Sequence, residues 1–248
     1  MNLGFLGRGR LAGVCMEEAV RSGHAVHRVW DEVHPLEDNL EGLGLDLVLE
    51  MSLPALVLPH AKMVLKAGLP LVVGTTGWYA QMDDLRNCCE KYNGSVLWAS
   101  NFAPGVQIFR QLAVHMTRMI NALPDYTLRM EEVHHLHKVD RPSGTAVHTA
   151  AEVVKASKRY LSWVSDTEPK ENELLVSSYR EEGEVGTHRL IAELPFEAWT
   201  LEHRALDRKA FGWGAIRAAE WLSGRKGFFG IDAFYEDLWS ASEKGGVG

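Results

Sequence analysis

Between residues 131 and 146 the sequence reads EEVHHLHKVDRPSGTA, crowding His134, His135, His137, Lys138 and Arg141 into eight positions of a chain whose formal charge is −7. A histidine, titrating near pH 6.5, four residues before a lysine is a pairing suited to supplying a proton at neutral pH. His134 and Lys138 are therefore candidate catalytic residues. Ser143, Gly144 and Thr145 follow Pro142 where a helix is expected to begin, so their backbone N–H groups could receive a carboxylate. Two other readings stay open. His135 and His137 could belong to a metal site, although no cysteine or carboxylate is placed to join them and Lys138 would repel a cation. Glu131 and Glu132 could simply neutralise the cluster. No metal is expected.

A second pattern lies at the start of the chain. GRGRLA, Gly7 to Ala12, fits G-x-G-x-x-G/A directly after an apolar run and at the start of a helix, where bare N–H groups and the helix dipole can receive a pyrophosphate. Asp31 closes the next apolar run 24 residues after Gly7, where a carboxylate can hold a ribose hydroxyl. Glu32 follows it, and two carboxylates would repel a 2′-phosphate, so NADH is expected to be preferred over NADPH. VVGTTGW (72–78) and ASNFAPG (99–105) end two further apolar runs, and Gly74, Thr75, Thr76 and Gly77 are read as cofactor contacts rather than as plain turn residues.

Positioning these groups requires a sheet whose loops open along one edge. Up to about residue 102, short apolar runs alternate with longer amphipathic ones: LGFL (3–6), AVHRVW (25–30), LDLVLEM (45–51), LPLVVGT (69–75) and SVLWAS (95–100). That rhythm predicts a doubly wound parallel sheet covered on both faces, with helices ending at Gly23, Gly68 and Gly94, which tolerate a positive φ. After residue 105 the rhythm stops. A helix is expected over 106–123, then a strand from Tyr126 to Val133, then a helix from Ser143 whose apolar face carries Val147, Ala150, Ala151 and Val154. On a strand or on a helix, His134 and Lys138 would share a face. The stretch 157–175 reads as a surface excursion.

Composition narrows the partners. With 26 Lys and Arg against 33 Asp and Glu the chain offers no general basic surface, so neither nucleic acid nor an anionic membrane is expected to bind it. No apolar run approaches the roughly 18 residues of a membrane span, and MNLGFLGRGR lacks the charged-then-apolar order of a signal peptide, so a cytoplasmic protein is expected. Cys15, Cys88 and Cys89 have no metal-ligand spacing and are read as reduced helix residues.

The segment EVHHLHKVDRPSGTA resembles the signature of bacterial dihydrodipicolinate reductases, broadly E-x-H-H-x-x-K-x-D-x-P-S-G-T-A. GRGRLA, VVGTTGW, ASNFAPGV, EVGTHRLIAE and LEHRALDRKAFGWGAIRAAEWL accompany it in the family's order, so the resemblance spans most of the chain. It implies an α/β fold, a Rossmann nucleotide domain (1–104 and 209–248) plus an α+β substrate-binding and oligomerisation domain (105–208), assembled as a homotetramer. It also implies reduction of a cyclic imine dicarboxylate, 4-hydroxy-tetrahydrodipicolinate, in diaminopimelate and lysine biosynthesis. His134 would donate or accept a proton, Lys138 would donate one, and His135, Ser143, Gly144 and Thr145 would bind substrate. Gly7, Arg8, Gly9, Arg10 and Leu11 would cradle the pyrophosphate and Asp31 the adenosine ribose. Gly74, Thr75, Thr76, Ala99, Ser100, Asn101 and Phe102 would meet the nicotinamide half of NADH or NADPH. Where the family tends to have Asp-Phe after the third strand, this chain has LEMSLP. The competing readings are another nicotinamide-dependent dehydrogenase of a small amino or dicarboxylic acid, and a non-catalytic NAD-sensing protein. The absence of any Y-x-x-x-K disfavours the short-chain dehydrogenases, and the presence of both His134 and Lys138 disfavours the sensor.

Overall fold

The apolar runs of the first hundred residues become the parallel strands of one sheet, whose inner members helices cover on both faces. In the computed structural model, which describes residues 1–37 and 39–244, these are β1 (Asn2–Leu6), β2 (Ala25–Trp30), β3 (Leu47–Glu50), β4 (Leu71–Val73) and β5 (Ser95–Trp98). Helices α1 (Arg10–Arg21), α2 (Val57–Lys66) and α3 (Met82–Lys91) connect them. Alternate residues of one strand enter different cores. Leu47 and Leu49 pack with Ala12, Cys15 and Ala19 of α1, whereas Val48 packs with Val57, Ala61 and Val64 of α2. A strand buried on both faces has no polar position to fill, which is why the inner runs lack alternation, whereas the edge strand β2 is largely exposed. All three cysteines are free and buried in α1 and α3.

Gly23 and Gly68 take positive φ beyond α1 and α2, as their positions predict. After α3 that role falls to Asn93, at φ +44°, rather than Gly94. Asparagine tolerates the left-handed region, and the bare Gly94 backbone instead lies against Leu65, whose Cδ2 would sit 2.7 Å from an added Cβ.

Helix α4 (Pro104–Ile120) opens a second unit, Pro104–Asp207, with β6 (Thr127–His134), α5 (Gly144–Ala156), β7 (Ser162–Ser165), β8 (Glu173–Arg180), β9 (Gly186–Leu194) and β10 (Glu197–Ala205). Its sheet runs β10-β9-β6-β8-β7, with β6, β7 and β8 mutually parallel and β9 antiparallel to both β6 and β10. Phe109 and Ala113 of α4 and Ala146, Ala150 and Val153 of α5 cover one face. Of the apolar face expected for α5, Ala150 is fully buried and Val154 packs against this core, whereas Val147 is half-buried and Ala151 exposed. On the other face Arg129, Glu131, Arg189 and Glu193 form ion pairs. The stretch 157–175 is more than an excursion, because it contains the edge strand β7.

The chain then returns to the first unit, Met1–Ala103 with Arg208–Gly248, through α6 (Lys209–Leu222), β11 (Gly227–Gly230) and α7 (Ile231–Lys244). Ala215, Ala218 and Leu222 of α6 are fully buried in the α1 core. Strand β11 adds a sixth member beside β5, giving the order β11-β5-β4-β3-β1-β2. It had no counterpart among the expected strands, being four residues with glycine at both ends. The first unit is a doubly wound parallel sheet and the second an α+β layer. Among the described residues no helix is long and apolar enough to cross a membrane.

Candidate active site

The strand order of the first sheet reverses direction at β1, which is flanked by β2 and β3. At such a switch point the loops at the carboxyl ends diverge and leave a crevice. A cleft of about 630 Å³ lies there, lined by Gly7, Arg8, Gly9, Asp31, Met51 and His60 among others. Gly7 has φ +104°, and a Cβ on it would lie 2.8 Å from the Met51 carbonyl carbon. Gly9 caps the start of α1 without any side-chain hydrogen bond, and a Cβ there would meet nothing within 4 Å. Bare N–H groups at a helix start beside open space fit the diphosphate of a dinucleotide.

Asp31 lies on the cleft wall with its carboxylate engaged on both sides. Oδ1 accepts from the N–H groups of Val33 (2.9 Å) and His34 (2.8 Å), and Oδ2 pairs with Arg8 Nε at 2.6 Å. These bonds, led by the His34 N–H, hold its pKa below the usual range. Arg10, Leu11, Gly74–Thr76 and Ala99–Phe102 do not line this cleft. Gly74–Thr76 and Ala99–Phe102 stand at the carboxyl ends of β4 and β5, where Gly74 N donates to Glu50 O (2.9 Å) and Ala99 N to Val73 O (3.0 Å).

LEMSLP builds a network that the sequence reading missed. Glu50 is fully buried at the end of β3. Its Oε1 accepts from Ser52 N (2.9 Å), from the Ser52 hydroxyl and from Thr75 Oγ1 (3.1 Å), while Oε2 lies 2.6 Å from His60 Nδ1. The Thr75 hydroxyl therefore ties the β3 and β4 loops together. Met51 fills the place beside Gly74, where an added Cβ would come within 2.5 Å of its sulfur.

The basic cluster belongs to the second unit. Residues Leu128 and Met130 of β6 point into its core, and the same period of two carries Glu132 and His134 inward at the strand's end. In register, Glu132 stands beside Ser178 on β8 and His188 on β9, which continue the inward rows of Leu174 and Val176 and of Leu190 and Ala192. The site is the polar end of that core. Neither a strand nor a helix joins His134 to Lys138. The strand stops at His134, and a turn closed by Lys138 N donating to His135 O (3.1 Å) follows.

Burial pushes His134 down to about 4, with Glu132 opposing and Lys138 and Arg180 adding to the shift. Burial first, then its neighbours His134, His203 and Lys138, drive His188 well below the usual range. Burial thus favours the neutral imidazole of His134 in the free protein. Lys138 pairs with Asp140 at 2.7 Å. Although burial raises Asp140, its bonds to Lys138 and to the N–H of Gly144 bring it below the ordinary carboxylate range. Ser143 caps α5, its Oγ accepting from Ala146 N (3.2 Å), while its own N–H donates to Glu132 Oε1 (2.9 Å). Of the helix-start donors, that of Ser143 is therefore committed within the protein. Thr145 is buried and Gly144 exposed beside it, and His135 is half-buried on the turn. Ligand atoms of Glu132, His134 and His188 lie within 4.8 Å of one another, a metal-like spacing that involves neither His135 nor His137. The adjacent Lys138 and Arg180 charges oppose a cation there.

The family model described as dihydrodipicolinate reductase, C-terminus, matches residues 105–234, and the one described as dihydrodipicolinate reductase, N-terminus, matches residues 11–102. The chain belongs to the dihydrodipicolinate reductase family. A 4-hydroxy-tetrahydrodipicolinate reductase of Christiangramia forsetii is 32% identical over 243 residues, covering 96% of this chain and 99% of the relative. Its counterpart in Gluconobacter oxydans is 35% identical over 228 residues, covering 88% and 89%. A dipicolinate-bound dihydrodipicolinate reductase from a Paenisporosarcina species shares the fold, with a TM-score of 0.73 at 18% identity over 94% of this chain and 98% of that one.

Proposed function

We propose that the protein reduces 4-hydroxy-tetrahydrodipicolinate to tetrahydrodipicolinate, a step of diaminopimelate and lysine biosynthesis. The observation that carries this reading is the buried His134 with the Lys138–Asp140 pair near it and the α5 start, in a chain of the dihydrodipicolinate reductase family. A nicotinamide dinucleotide, when bound, supplies the hydride. Gly7, Arg8, Gly9, Arg10 and Leu11 would hold its pyrophosphate, Asp31 its adenosine ribose, and Gly74, Thr75, Thr76 and Ala99–Phe102 its nicotinamide half. Met1–Ala103 with Arg208–Gly248 is thus the nucleotide domain, and Pro104–Asp207 the substrate domain.

Overall one proton enters with the hydride while the hydroxyl leaves as water. A neutral imidazole that can take and return a proton suits this exchange, and the His134 ring is held neutral by burial. Lys138 supplies the second transferable proton and a positive charge for the dianionic substrate. His135, Gly144 and Thr145 offer further donors to its carboxylates. Asp140 shields Lys138 until a substrate carboxylate competes for the same ammonium.

NADH is the preferred cofactor in this reading, because Glu32 adds an exposed carboxylate beside Asp31. Arg8 offsets the Asp31 charge, so the discrimination is modest. A homotetramer accords with exposed apolar side chains on the second unit, where Phe196 and Trp199 of the β9–β10 hairpin and Leu112 and Met119 of α4 face solvent. The test is NADH oxidation followed at 340 nm with freshly generated substrate, with pyridine-2,6-dicarboxylate as competitor. No turnover with either cofactor would overturn the proposal.

A further inference from the structure

Glu132 is a fully buried carboxylate, and the reaction as proposed above gives it no role. Three groups from α5 and β8 fix it. Its Oε1 accepts from the N–H of Ser143 at the start of α5 (2.9 Å) and from the Ser178 hydroxyl of β8 (2.9 Å), and Arg180 Nη1 lies 3.6 Å away. The helix start and the guanidinium offset its charge. Oε2 has no hydrogen-bond partner. Neither has the buried Nδ1 of His134, and the two atoms face each other across 3.4 Å.

Leaving both atoms unpaired in a dry interior would cost the desolvation of each. A single proton resolves this. A neutral imidazole carries one N–H, on Nδ1 or on Nε2. On Nδ1 it makes a charge-assisted bond to the nearby carboxylate oxygen after a small closure and realignment. On Nε2 it would leave two lone pairs opposed at 3.4 Å. We infer that Glu132 is the positioning residue of His134, holding its imidazole as the Nδ1–H tautomer so that Nε2 presents a lone pair to the substrate. This rests on the proton-transfer role proposed for His134.

The Nε2 side agrees. Gly186 of β9 borders it, and a Cβ there would stand 3.1 Å from Nε2, so the missing side chain keeps that edge of the ring clear. The His188 ring meets His134 edge-on, with centroids 5.1 Å apart. The titratable and charged groups acting on His134 are Glu132, Lys138, Arg180 and Asp140, with His188 against the ring. Glu132 is the one of these with an unpaired oxygen within 3.4 Å of Nδ1.

Glu132→Gln tests the assignment, because its carbonyl can keep the Ser143 and Ser178 bonds while its NH2 replaces Oε2 as a donor. Long-range 1H–15N spectra of the ligand-free protein at pH 7.5 should show Nδ1–H for His134 in the wild type and Nε2–H in Glu132→Gln. The variant's kcat should fall by about 10² or more, as expected when a proton-transfer group is held in the wrong tautomer. The acidic limb of its pH profile should move to lower pH, since the carboxylate that favours the imidazolium is gone. NADH affinity should not change. Glu132→Asp should keep Nδ1–H and recover part of the rate. Nε2–H in the wild type, or unchanged tautomer and kcat in Glu132→Gln, would overturn the inference. If Glu132→Gln does not fold, the wild-type and Glu132→Asp spectra decide it. Near-normal kcat in His134→Gln would instead remove the proton-transfer reading and leave the tautomer result standing.

Discussion

Gly7 and Gly9 are two residues apart in the same loop, yet their replacement by alanine should have different consequences. At Gly7, φ is +104° and an added Cβ would lie 2.8 Å from the Met51 carbonyl carbon, with the carbonyl oxygen closer still. The unfavourable φ costs about 1–3 kcal/mol. The clash is with backbone at the end of β3, which cannot rotate away, and adds about 1–3 kcal/mol as overpacking does. Together these lower Tm by roughly 10 °C, at about 2–4 °C per kcal/mol for a chain of this size. Gly9 sits at φ −66°, ψ 178°, with nothing within 4 Å of an added Cβ. Gly9→Ala should therefore keep or slightly raise Tm, since alanine gives the unfolded chain fewer conformations. If a diphosphate approaches that backbone, the methyl group holds it off, and NADH binding should weaken about tenfold or more, equivalent to about 1.4 kcal/mol. Thermal unfolding by circular dichroism and NADH fluorescence titration on both variants make the comparison. A Gly9→Ala protein with wild-type NADH affinity would refute the diphosphate assignment, and a Gly7→Ala protein with wild-type Tm would refute the close-approach argument.

Other outcomes follow from the same geometry. His134→Gln and Lys138→Ala should each lower kcat by about 10² to 10⁴ with NADH affinity unchanged, and a double variant losing the full product of both would place them in separate steps. Removing the Arg8 charge by Arg8→Ala should reduce kcat/KM for NADPH more than for NADH, by roughly five- to tenfold; equal losses would show that Arg8 does not sense the 2′-phosphate. The folded protein holds His134, His188 and His203 below their ordinary pKa, so the unfolded chain binds more protons below its value near 6.5, in a window that for His134 reaches about 4. Stability should be full above pH 6.5 and fall toward pH 4, by up to about 1.4 kcal/mol per pH unit for each histidine; urea unfolding with the same free energy at pH 7.5 and 5.5 would contradict this. Glu50→Gln should destabilise the protein by about 2–3 kcal/mol and weaken NADH binding, because one amide cannot accept from Ser52, Thr75 and His60 together; an unchanged Tm would remove the network from the account.

Much of this molecule is legible in one dimension because it is set by local chemistry. The period of two or 3.6, the glycine loop before α1, Asp31 at the end of β2 and the His134–Lys138 spacing are all relations between residues close in the chain. The Ser143 cap follows from the same kind of proximity, a serine three residues before the N–H it receives. Register decides the rest. Glu132 reads as a charge that could balance its neighbours until β6 pairs with β8 and β9, which sets it beside Ser178 and His188 from segments more than forty residues away. The inward row of β6, continued past Met130, would have marked Glu132 as buried, but nothing local identifies what shares its burial. Glu50 is similar: LEMSLP looks like a departure from a motif, and only the adjacent ends of β3 and β4, with His60 returning from α2, turn it into a fourfold acceptor. The His134 protonation state belongs wholly to the tertiary structure. A histidine in sequence has the pKa of a peptide in water, and it is the removal of that water by packing, under the field of Lys138 and Arg180, that makes this one a neutral base.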